Sequence, residues 1–193
     1  MIRIGILGEI GSGKSYVAKE FGYPVFNADL EVSKIYKKDK KVFFKLNKKI
    51  PKHILSFPVE KKEIIKAILS NKTNLKKIVN IIHNEIKKKL KLFLNKNRNR
   101  RIVILDIPLL LENKINNKRD ILVYVDAKRK DIKKRLNKRP NFNYKLFKKF
   151  KKIQIKSIYK KKRSNFIITN NFTKKSVKRD INNILKEIFK WKK

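Results

Sequence analysis

The sequence contains no cysteine, and it has only five glycines and five prolines in 193 residues. Without cysteine the chain can form neither disulfides nor thiolate metal sites, which agrees with a reducing compartment. No run of about 18 apolar residues occurs, so we expect no transmembrane helix. The short apolar stretch at the start is cut off by a glycine-rich turn, so we expect no signal peptide either. We therefore expect a soluble cytoplasmic protein, long enough for one α/β domain with small inserts.

Acidic residues are also scarce, because 15 Asp and Glu face 55 Lys and Arg and give a formal net charge of +40. One interpretation is nucleic-acid binding through phosphate contacts. The other is codon bias, since Lys outnumbers Arg and the abundant Asn, Ile and Phe also have AT-rich codons. The lysines are spread along the whole chain instead of forming one arm, so we favour the second interpretation. In either case such a charge attracts anionic substrates.

Short apolar segments alternate with segments of helical periodicity along the chain. The predicted strands are 2–7, 23–27, 101–106, 121–125 and 166–169. The predicted helices are 13–21, 29–37, 60–96 with an interruption at 70–73, 128–137, 143–163 and one that begins near 174. This alternation predicts a parallel sheet with helices on both faces.

Two stretches stand apart from this predicted sheet. The segment 37–75 lacks a convincing strand and begins with a lysine-rich connection to Leu46, so we expect a helical insert. Within it, Thr73 is a predicted cap for the helix after the interruption. The segment 136–163 lies between a helix and the last strand, and we expect it to form a lid. The predicted core then consists of 1–36, 76–135 and 164–193.

The strongest motif is a glycine-rich loop between the first strand and the first helix. It reads Gly8-Glu9-Ile10-Gly11-Ser12-Gly13-Lys14-Ser15 and fills every fixed position of G-x-x-x-x-G-K-[ST]. Glycines let backbone N–H groups wrap around phosphate oxygens, and the helix that follows adds the positive end of its dipole. Lys14 supplies a cation for the β- and γ-phosphates, and the Ser15 hydroxyl is a suitable Mg²⁺ ligand. The motif predicts nucleotide binding over an ordinary turn, but by itself it does not separate a kinase from a GTPase or a motor.

Two acidic residues follow predicted strands, at the edge of a parallel sheet where ligands bind. Asp29 comes after the second strand and is a candidate for accepting the proton of an acceptor hydroxyl, although it is equally suited to cap a helix. Asp106 ends the third strand, where a carboxylate of the Walker B type would hold Mg²⁺; the alternative is an acid that caps a turn.

Other candidates are less specific. Arg135 and Arg139 are spaced i, i+4 on the predicted helix before the lid and suit phosphate oxygens, but in so basic a chain an arginine is often solvated. His53 and His83 lack companions at metal-ligand spacing, so packing roles are expected for both from the residues alone.

These motifs together resemble the dephospho-CoA kinases, P-loop enzymes of the last step of coenzyme A synthesis. The resemblance is carried by Gly8–Ser15, Phe26–Asp29, Ile82–Ile86, Asp106–Glu112, Arg135 with Arg139, and a closing block of Gln154 and Lys160–Asn170. Asn84 stands where the family has proline, Asn165 where Asp is usual, and Tyr16 where a small Thr is commoner. The segment 37–75 matches weakly.

The resemblance implies a P-loop kinase core with a five-stranded parallel sheet flanked by helices, a helical substrate-binding insert and a helical lid. It implies that ATP and Mg²⁺ are used, and that Asp29, Lys14 and Arg139 act in catalysis. The ATP-binding residues implied are Gly8, Glu9, Ile10, Gly11, Ser12, Gly13, Lys14, Ser15, Tyr16, Arg135, Arg139 and Asn170. The residues implied for dephospho-CoA are Asp29, His83, Pro108, Leu109 and Glu112, and those for the metal are Ser15 and Asp106.

The expected reaction is therefore transfer of the γ-phosphate of ATP to the ribose 3′-hydroxyl of dephospho-CoA, giving coenzyme A and ADP. Two alternatives stay open. The first is another small-molecule or nucleotide kinase with the same loop and a different acceptor pocket. The second is a nucleic-acid-binding P-loop NTPase, which the lack of a separate basic arm and of interleaved aromatic platforms disfavours. We expect no membrane and no obligate protein partner.

Overall fold

The structure, a computed structural model, describes residues 1–140 and 142–191. The chain divides into two compact units. The first, called the sheet unit, consists of Met1–Asn27, Asn97–Phe142 and Ile153–Lys193. The second, called the helical unit, consists of Ala28–Lys96 and Asn143–Lys152.

The sheet unit is built on five parallel strands in the order β2-β3-β1-β4-β5. They are β1 (Ile2–Gly8), β2 (Val25–Asn27), β3 (Ile102–Asp106), β4 (Ile121–Asp126) and β5 (Phe166–Thr169). The predicted five-stranded parallel sheet is confirmed. The register pairs Asn27 with Asp106 and Gly8 with Val125, so the carboxyl ends of the strands meet at one edge.

The core of the sheet unit explains why its central strands are mostly apolar. Helices cover the sheet, so most side chains on both faces of β1, β3 and β4 are buried. All five residues of β3 are buried, and so are Ile4 and Ile6 of β1. The helices of this unit are α1 (Lys14–Glu20), α6 (Arg129–Asn137), α8 (Ser157–Lys162) and α9 (Lys174–Lys190).

The helical unit contains α2 (Ala28–Lys38), α3 (Lys40–Lys49), α4 (Lys61–Ser70), α5 (Lys72–Lys96) and α7 (Tyr144–Ile153), whose last residue falls just past the unit boundary. Helix α5 is its centre, because the buried side chains of Ile78, Ile82, Ile86 and Leu90 recur every four residues and form one stripe. Helices α2, α3 and α4 pack against α5. Lys149 of α7 donates to the carbonyl oxygens of Ile68 at 2.5 Å and Leu69 at 3.3 Å, where a cation suits the end of α4. The described residues of this unit form no strand, as predicted for 37–75.

Several predicted boundaries differ from the structure. The predicted lysine-rich connection before Leu46 is helix α3, whose N-cap Asp39 accepts a hydrogen bond from the Val42 N–H at 3.0 Å. Thr73 lies inside α5 and caps nothing; its N–H instead donates to the Asn71 side chain at 2.9 Å. The predicted helix 143–163 is two helices, α7 and α8, because the chain leaves the helical path between them.

The division into units also differs from the predicted domains. The segment predicted as an insert, 37–75, is part of a larger helical unit, because α2 and α5 pack with α3 and α4. The predicted lid, 136–163, is divided between the two units. Of the helices described here, none is both long and apolar enough to cross a membrane.

Candidate active site

The glycine-rich loop leaves β1 at Gly8 and enters α1 at Lys14. Gly13 is the N-cap of α1 and has φ 91°, a conformation that side chains with a Cβ rarely adopt. A Cβ on Gly13 would also collide with the Asn170 carboxamide, and a Cβ on Gly8 would lie 2.6 Å from Ser12 Oγ. The two glycines are thus required by both backbone conformation and space, which is how such a loop exposes its N–H groups to an anion.

Lys14 is held against this loop by backbone oxygens. Its Nζ donates to the carbonyl oxygen of Glu9 at 2.8 Å and to that of Gly8 at 3.2 Å. The Glu9 carbonyl also accepts the Ser12 N–H at 3.2 Å, so Glu9 links the lysine to the turn of the loop. A cation in this position neutralises phosphate oxygens bound by the loop amides.

Asp106 lies at the carboxyl end of β3 and is buried, with 3% of its surface exposed. Its Oδ2 accepts a hydrogen bond from Asn27 Nδ2 at 2.6 Å, and its carboxylate also bonds with the Ser15 side chain. Burial raises the pKa of Asp106, and the Ser15 hydrogen bond offsets part of that rise. The positive charge of Lys14 and the Asn27 amide lower the pKa further, but burial remains the largest cause.

Ser15 and Asp106 fit a Mg²⁺ ion. A hydroxyl and a carboxylate oxygen are hard donors of the kind that Mg²⁺ prefers, and here they are already in contact. Within residues 1–140 and 142–191 no group of three or more His, Cys, Asp or Glu side chains is arranged to hold a metal. Mg²⁺ does not need one, because it binds through one or two carboxylates together with substrate phosphates and water.

Asp29 lies in the first turn of α2, the second residue after the end of β2. Helix α2 begins at Ala28, so Asp29 is inside the helix and is not its N-cap. The alternative assignment of Asp29 as a helix cap is therefore wrong. Asp29 belongs to the helical unit. Asn27 and Asp106, which are paired on neighbouring strands, belong to the sheet unit.

Asn170 is fully buried and supports the loop from behind. Its Nδ2 donates to the Ser12 carbonyl at 2.8 Å, its Oδ1 accepts the Phe172 N–H at 2.9 Å, and its own N–H donates to the Asp126 carbonyl at 2.7 Å. Asn170, which is predicted to bind ATP, thus supports the loop through its hydrogen bond to Ser12. Sequence reasoning gave it no such contact, because Ser12 and Asn170 are 158 positions apart.

The two predicted arginines are placed differently from each other. Arg135 is on α6, 5.1 Å from the ring of Phe172 in a cation–π arrangement and next to Gly13. Arg139 is not on that helix: α6 ends at Asn137, and the Arg139 N–H donates to the Leu136 carbonyl in the turn that follows. The predicted i, i+4 pairing on one helix is therefore wrong, because the helix stops before Pro140.

The loop after β3 contains the predicted acceptor residues Pro108, Leu109 and Glu112. Leu109 has φ 60°, an unusual value for a non-glycine residue, and such conformations cluster at ligand sites. Oε1 of Glu112 forms an ion pair with Lys160 Nζ at 2.7 Å and accepts the Ile155 N–H at 2.9 Å. Oε2 of Glu112 is buried and has no hydrogen-bond partner among the residues that the structure describes.

His83 lies on α5 in the helical unit. Burial, and to a smaller extent the charge of Lys87, lower the pKa of His83, so its imidazole is neutral at neutral pH. Its Nε2 is buried and finds no partner within the described part of the chain. A neutral imidazole in this state provides a hydrogen-bonding atom for a polar group, but not a positive charge for a phosphate.

Sequence reasoning missed several residues around the loop. Asn27 was considered only as part of a strand motif, yet its amide donates to the Asp106 carboxylate at 2.6 Å. In α8, Ser157 donates to the Glu9 carboxylate at 2.5 Å, and Lys161 donates to the Asp126 carboxylate at 2.7 Å. Asp126 could have been found as a second strand-end acid, whereas nothing in a single sequence indicates the partner of Ser157.

The fold and the loop together define a class of protein. A complete phosphate-binding loop after the first strand of this parallel sheet, with Asp106 beside Ser15, is the arrangement of a P-loop kinase, a phosphotransferase. Solved structures agree at the level of fold. TT1252 from Thermus thermophilus has a TM-score of 0.79 at 24% identity, with 96% of this chain and 97% of that chain covered. A shikimate kinase from Bacteroides thetaiotaomicron has a TM-score of 0.54 at 12% identity, with 97% and 98% covered.

Sequence comparison identifies the family. The family model described as dephospho-CoA kinase matches residues 2–176. A dephospho-CoA kinase of Wolbachia pipientis wMel is 32% identical over 187 residues, which cover 94% of this chain and 95% of the relative. A dephospho-CoA kinase of Bartonella quintana is 29% identical, with 97% and 98% covered. The chain belongs to the dephospho-CoA kinase family.

Proposed function

We propose that this enzyme transfers the γ-phosphate of ATP to the ribose 3′-hydroxyl of dephospho-CoA, producing coenzyme A and ADP in the last step of coenzyme A synthesis. The observation that carries the proposal is the contact of Asp106 with Ser15 and Asn27 beside a complete phosphate loop. Metal-dependent phosphoryl transfer needs this arrangement. The assignment of dephospho-CoA as the acceptor is supported by the family to which the chain belongs.

ATP is bound by the loop from Gly8 to Ser15. The N–H groups of the loop surround the phosphate oxygens, and Tyr16 lies in the first turn of helix α1, which follows the loop. Lys14, now on the carbonyls of Gly8 and Glu9, exchanges these contacts for the β- and γ-phosphates when ATP binds. Arg135, next to Gly13, adds a second cation beside the loop.

Ser15 and Asp106 are the residues that would hold Mg²⁺. When bound, the ion neutralises charge on the phosphates and helps to orient them. The Asn27 amide fixes the orientation of the Asp106 carboxylate through a 2.6 Å hydrogen bond. Asp106 must be ionised to serve, and although burial raises its pKa, Ser15, Lys14 and Asn27 all favour the charged form.

Asp29 accepts the proton of the acceptor hydroxyl. It follows Asn27 by two residues at the carboxyl end of β2, the edge where ligands of parallel sheets bind. As the oxygen attacks the γ-phosphorus, the O–H proton passes to the Asp29 carboxylate and the bond to the ADP oxygen breaks. Arg139, in the turn after α6, offsets the negative charge that develops on the phosphoryl oxygens.

The residues that we assign to the acceptor belong to the loop after β3 in the sheet unit and to α5 in the helical unit. Pro108 and Leu109 offer an apolar surface in a backbone turn that Leu109 holds at positive φ. The neutral His83 offers one hydrogen-bonding nitrogen, and Glu112 keeps one carboxylate oxygen without a described partner. Closure of the predicted lid, 136–163, would exclude water and limit ATP hydrolysis.

An acceptor comparison tests this proposal. ADP release is measured by a coupled assay with dephospho-CoA, AMP and RNA as separate acceptors, each with ATP and Mg²⁺. We expect turnover with dephospho-CoA far above that with the other two. Turnover with AMP alone would favour a nucleotide kinase, and stimulation by RNA alone would favour a nucleic-acid-dependent NTPase. Either result rejects the proposed acceptor.

A further inference from the structure

The carboxylate of Glu9 is an unusual charge to find in a phosphate-binding loop. Glu9 is the second residue of the loop, and its own carbonyl oxygen holds Lys14 Nζ at 2.8 Å. A carboxylate carried by a residue of the phosphate loop would repel an incoming polyanion if it were free to turn towards it. ATP binding therefore requires a contact that holds the Glu9 carboxylate away from the phosphates.

Helix α8 does this. Ser157, its first residue, donates a hydrogen bond from Oγ to Oε1 of Glu9 at 2.5 Å. The Ser157 side chain also lies beside Tyr124 and lowers the pKa of its hydroxyl, which burial raises. Tyr124 is 1% exposed, so Ser157 lies against the core of the sheet unit.

A second group on the same helix faces the same carboxylate. Lys161 Nζ forms an ion pair with Asp126 Oδ2 at 2.7 Å. That hydrogen bond raises the pKa of Lys161, and the negative charge of Glu9 contributes in the same direction. Glu9, Ser12, Tyr124, Asp126, Ser157 and Lys161 are among the residues that line one cavity of about 150 Å³. The Glu9 side chain therefore lies in a pocket that holds both a hydroxyl donor and a cation.

The position of α8 is itself fixed. Lys160, which precedes Lys161, forms a buried ion pair with Glu112 at 2.7 Å. Glu112 also accepts the Ile155 N–H two residues before Ser157, at 2.9 Å. The segment 155–161 is thus attached to the loop after β3 on one side and to β4 on the other.

We propose that Ser157 is a positioning residue for ATP: its hydroxyl keeps the Glu9 carboxylate in the α8 pocket and so keeps negative charge away from the phosphates. The proposal rests on the proposed binding of ATP by this loop, but it concerns Glu9 and α8 and does not depend on which acceptor is used. Ser157 acts through Glu9 and does not itself contact ATP.

The test is equilibrium binding of ATP with Mg²⁺, measured by calorimetry without an acceptor. Ser157→Ala should raise the Kd about 5-fold, since the hydrogen bond to a charged group is lost. The same substitution in a Glu9→Gln background should change the Kd by less than about 2-fold, because the charge that it releases is no longer there. Ser157→Thr keeps the hydroxyl and should restore binding.

A matched control separates this role from general damage to α8. Ser164 lies two residues after the end of α8, and its Oγ donates to the Lys160 carbonyl at 2.8 Å, so Ser164→Ala removes a comparable bond that does not reach the loop. We expect it to leave the ATP Kd unchanged. An equal loss for Ser157→Ala in both Glu9 backgrounds, or no loss in either, overturns the proposal.

A second comparison serves if Ser157→Ala does not fold. Glu9→Asp keeps the charge but shortens the side chain, so the carboxylate no longer reaches Ser157, whereas Glu9→Gln removes the charge. We expect Glu9→Asp to bind ATP more weakly than Glu9→Gln, and the opposite order overturns the proposal. Because no acceptor is present, absence of turnover with dephospho-CoA would reject the proposed function while leaving this result intact.

Discussion

The ion pair between Lys160 and Glu112 gives a prediction of stability that can be worked out from its burial. Lys160 is 4% exposed, and its Nζ lies 2.7 Å from Oε1 of Glu112. Lys160→Met keeps the apolar length of the side chain and removes the ammonium. Glu112 then keeps only the Ile155 N–H as a partner on that oxygen, so a carboxylate with 9% side-chain exposure loses its counter-charge.

Removing one member of a buried ion pair costs about 3–5 kcal/mol. The remaining N–H bond argues for the lower end, so we expect Lys160→Met to lower the free energy of unfolding by about 3 kcal/mol. A chain of this size loses about 2–4 °C of Tm per kcal/mol. The expected fall in Tm is therefore about 6–12 °C, measured by circular dichroism at neutral pH, with urea denaturation for the free energy.

Lys162 provides the matched control, because it is an exposed lysine on the same helix. Lys162→Met should change the free energy of unfolding by no more than about 0.5 kcal/mol. The double variant Lys160→Met, Glu112→Leu removes both charges and should recover most of the lost stability. The reasoning is refuted if Lys160→Met lowers the free energy of unfolding no more than Lys162→Met does. It is also refuted if the double variant loses as much stability as the two single variants, Lys160→Met and Glu112→Leu, lose together.

Three further predictions follow from the loop and the strand ends. Burial raises the pKa of Asp106 above 3.8, so this carboxyl stabilises the folded state at low pH, and that stabilisation is lost as pH rises through the folded pKa. Asp106→Asn should therefore gain stability relative to the wild type as pH rises from 3.8, the ordinary pKa, through the folded pKa, and a constant difference contradicts this. Gly13→Ala forces a side chain into φ 91° against Asn170, so it should cost at least about 1–2 kcal/mol and weaken ATP binding, as unfolding and calorimetry would show. Asp29→Asn should keep ATP binding and lower turnover at least about 100-fold in the coupled assay; unchanged turnover removes Asp29 from the mechanism.

The sheet was predictable from the sequence because burial on both faces leaves a local signal. β1, apart from Arg3, and β3, as far as Asp106, appear as apolar runs, and the glycine loop that follows β1 predicts the position of the phosphate site. Asp106 was found for the same reason, since it ends an apolar strand. Each of these features can be predicted from the residues next to it in the sequence.

The helical parts were predicted less well, because their boundaries depend on single caps and distant partners. Helix α3 is so rich in lysine that it looked like a connection, and the Asp39 cap that starts it was not noticed. The predicted basic helix 143–163 is interrupted where Ile155 gives its N–H to Glu112, 43 positions away. No periodicity in one sequence shows such a contact.

The same limit applies to the site. The hydrogen bond from Ser157 to Glu9 spans 148 positions, and the bond from Asn170 to Ser12 spans 158. Both are formed only after the parallel sheet brings the ends of β1, β4 and β5 together. Which residues bind the nucleotide stays a prediction of the motif, whereas the fold determines which residues hold that motif in place.

The most direct test of the central claim is the position of the transferred phosphate. The purified enzyme is incubated with dephospho-CoA, ATP and Mg²⁺, and the product is examined by phosphorus NMR and mass spectrometry. We predict one new phosphomonoester on the ribose 3′-hydroxyl, in an amount equal to the ADP formed. A phosphate on another atom of the acceptor, or ADP with only free inorganic phosphate, would contradict the account.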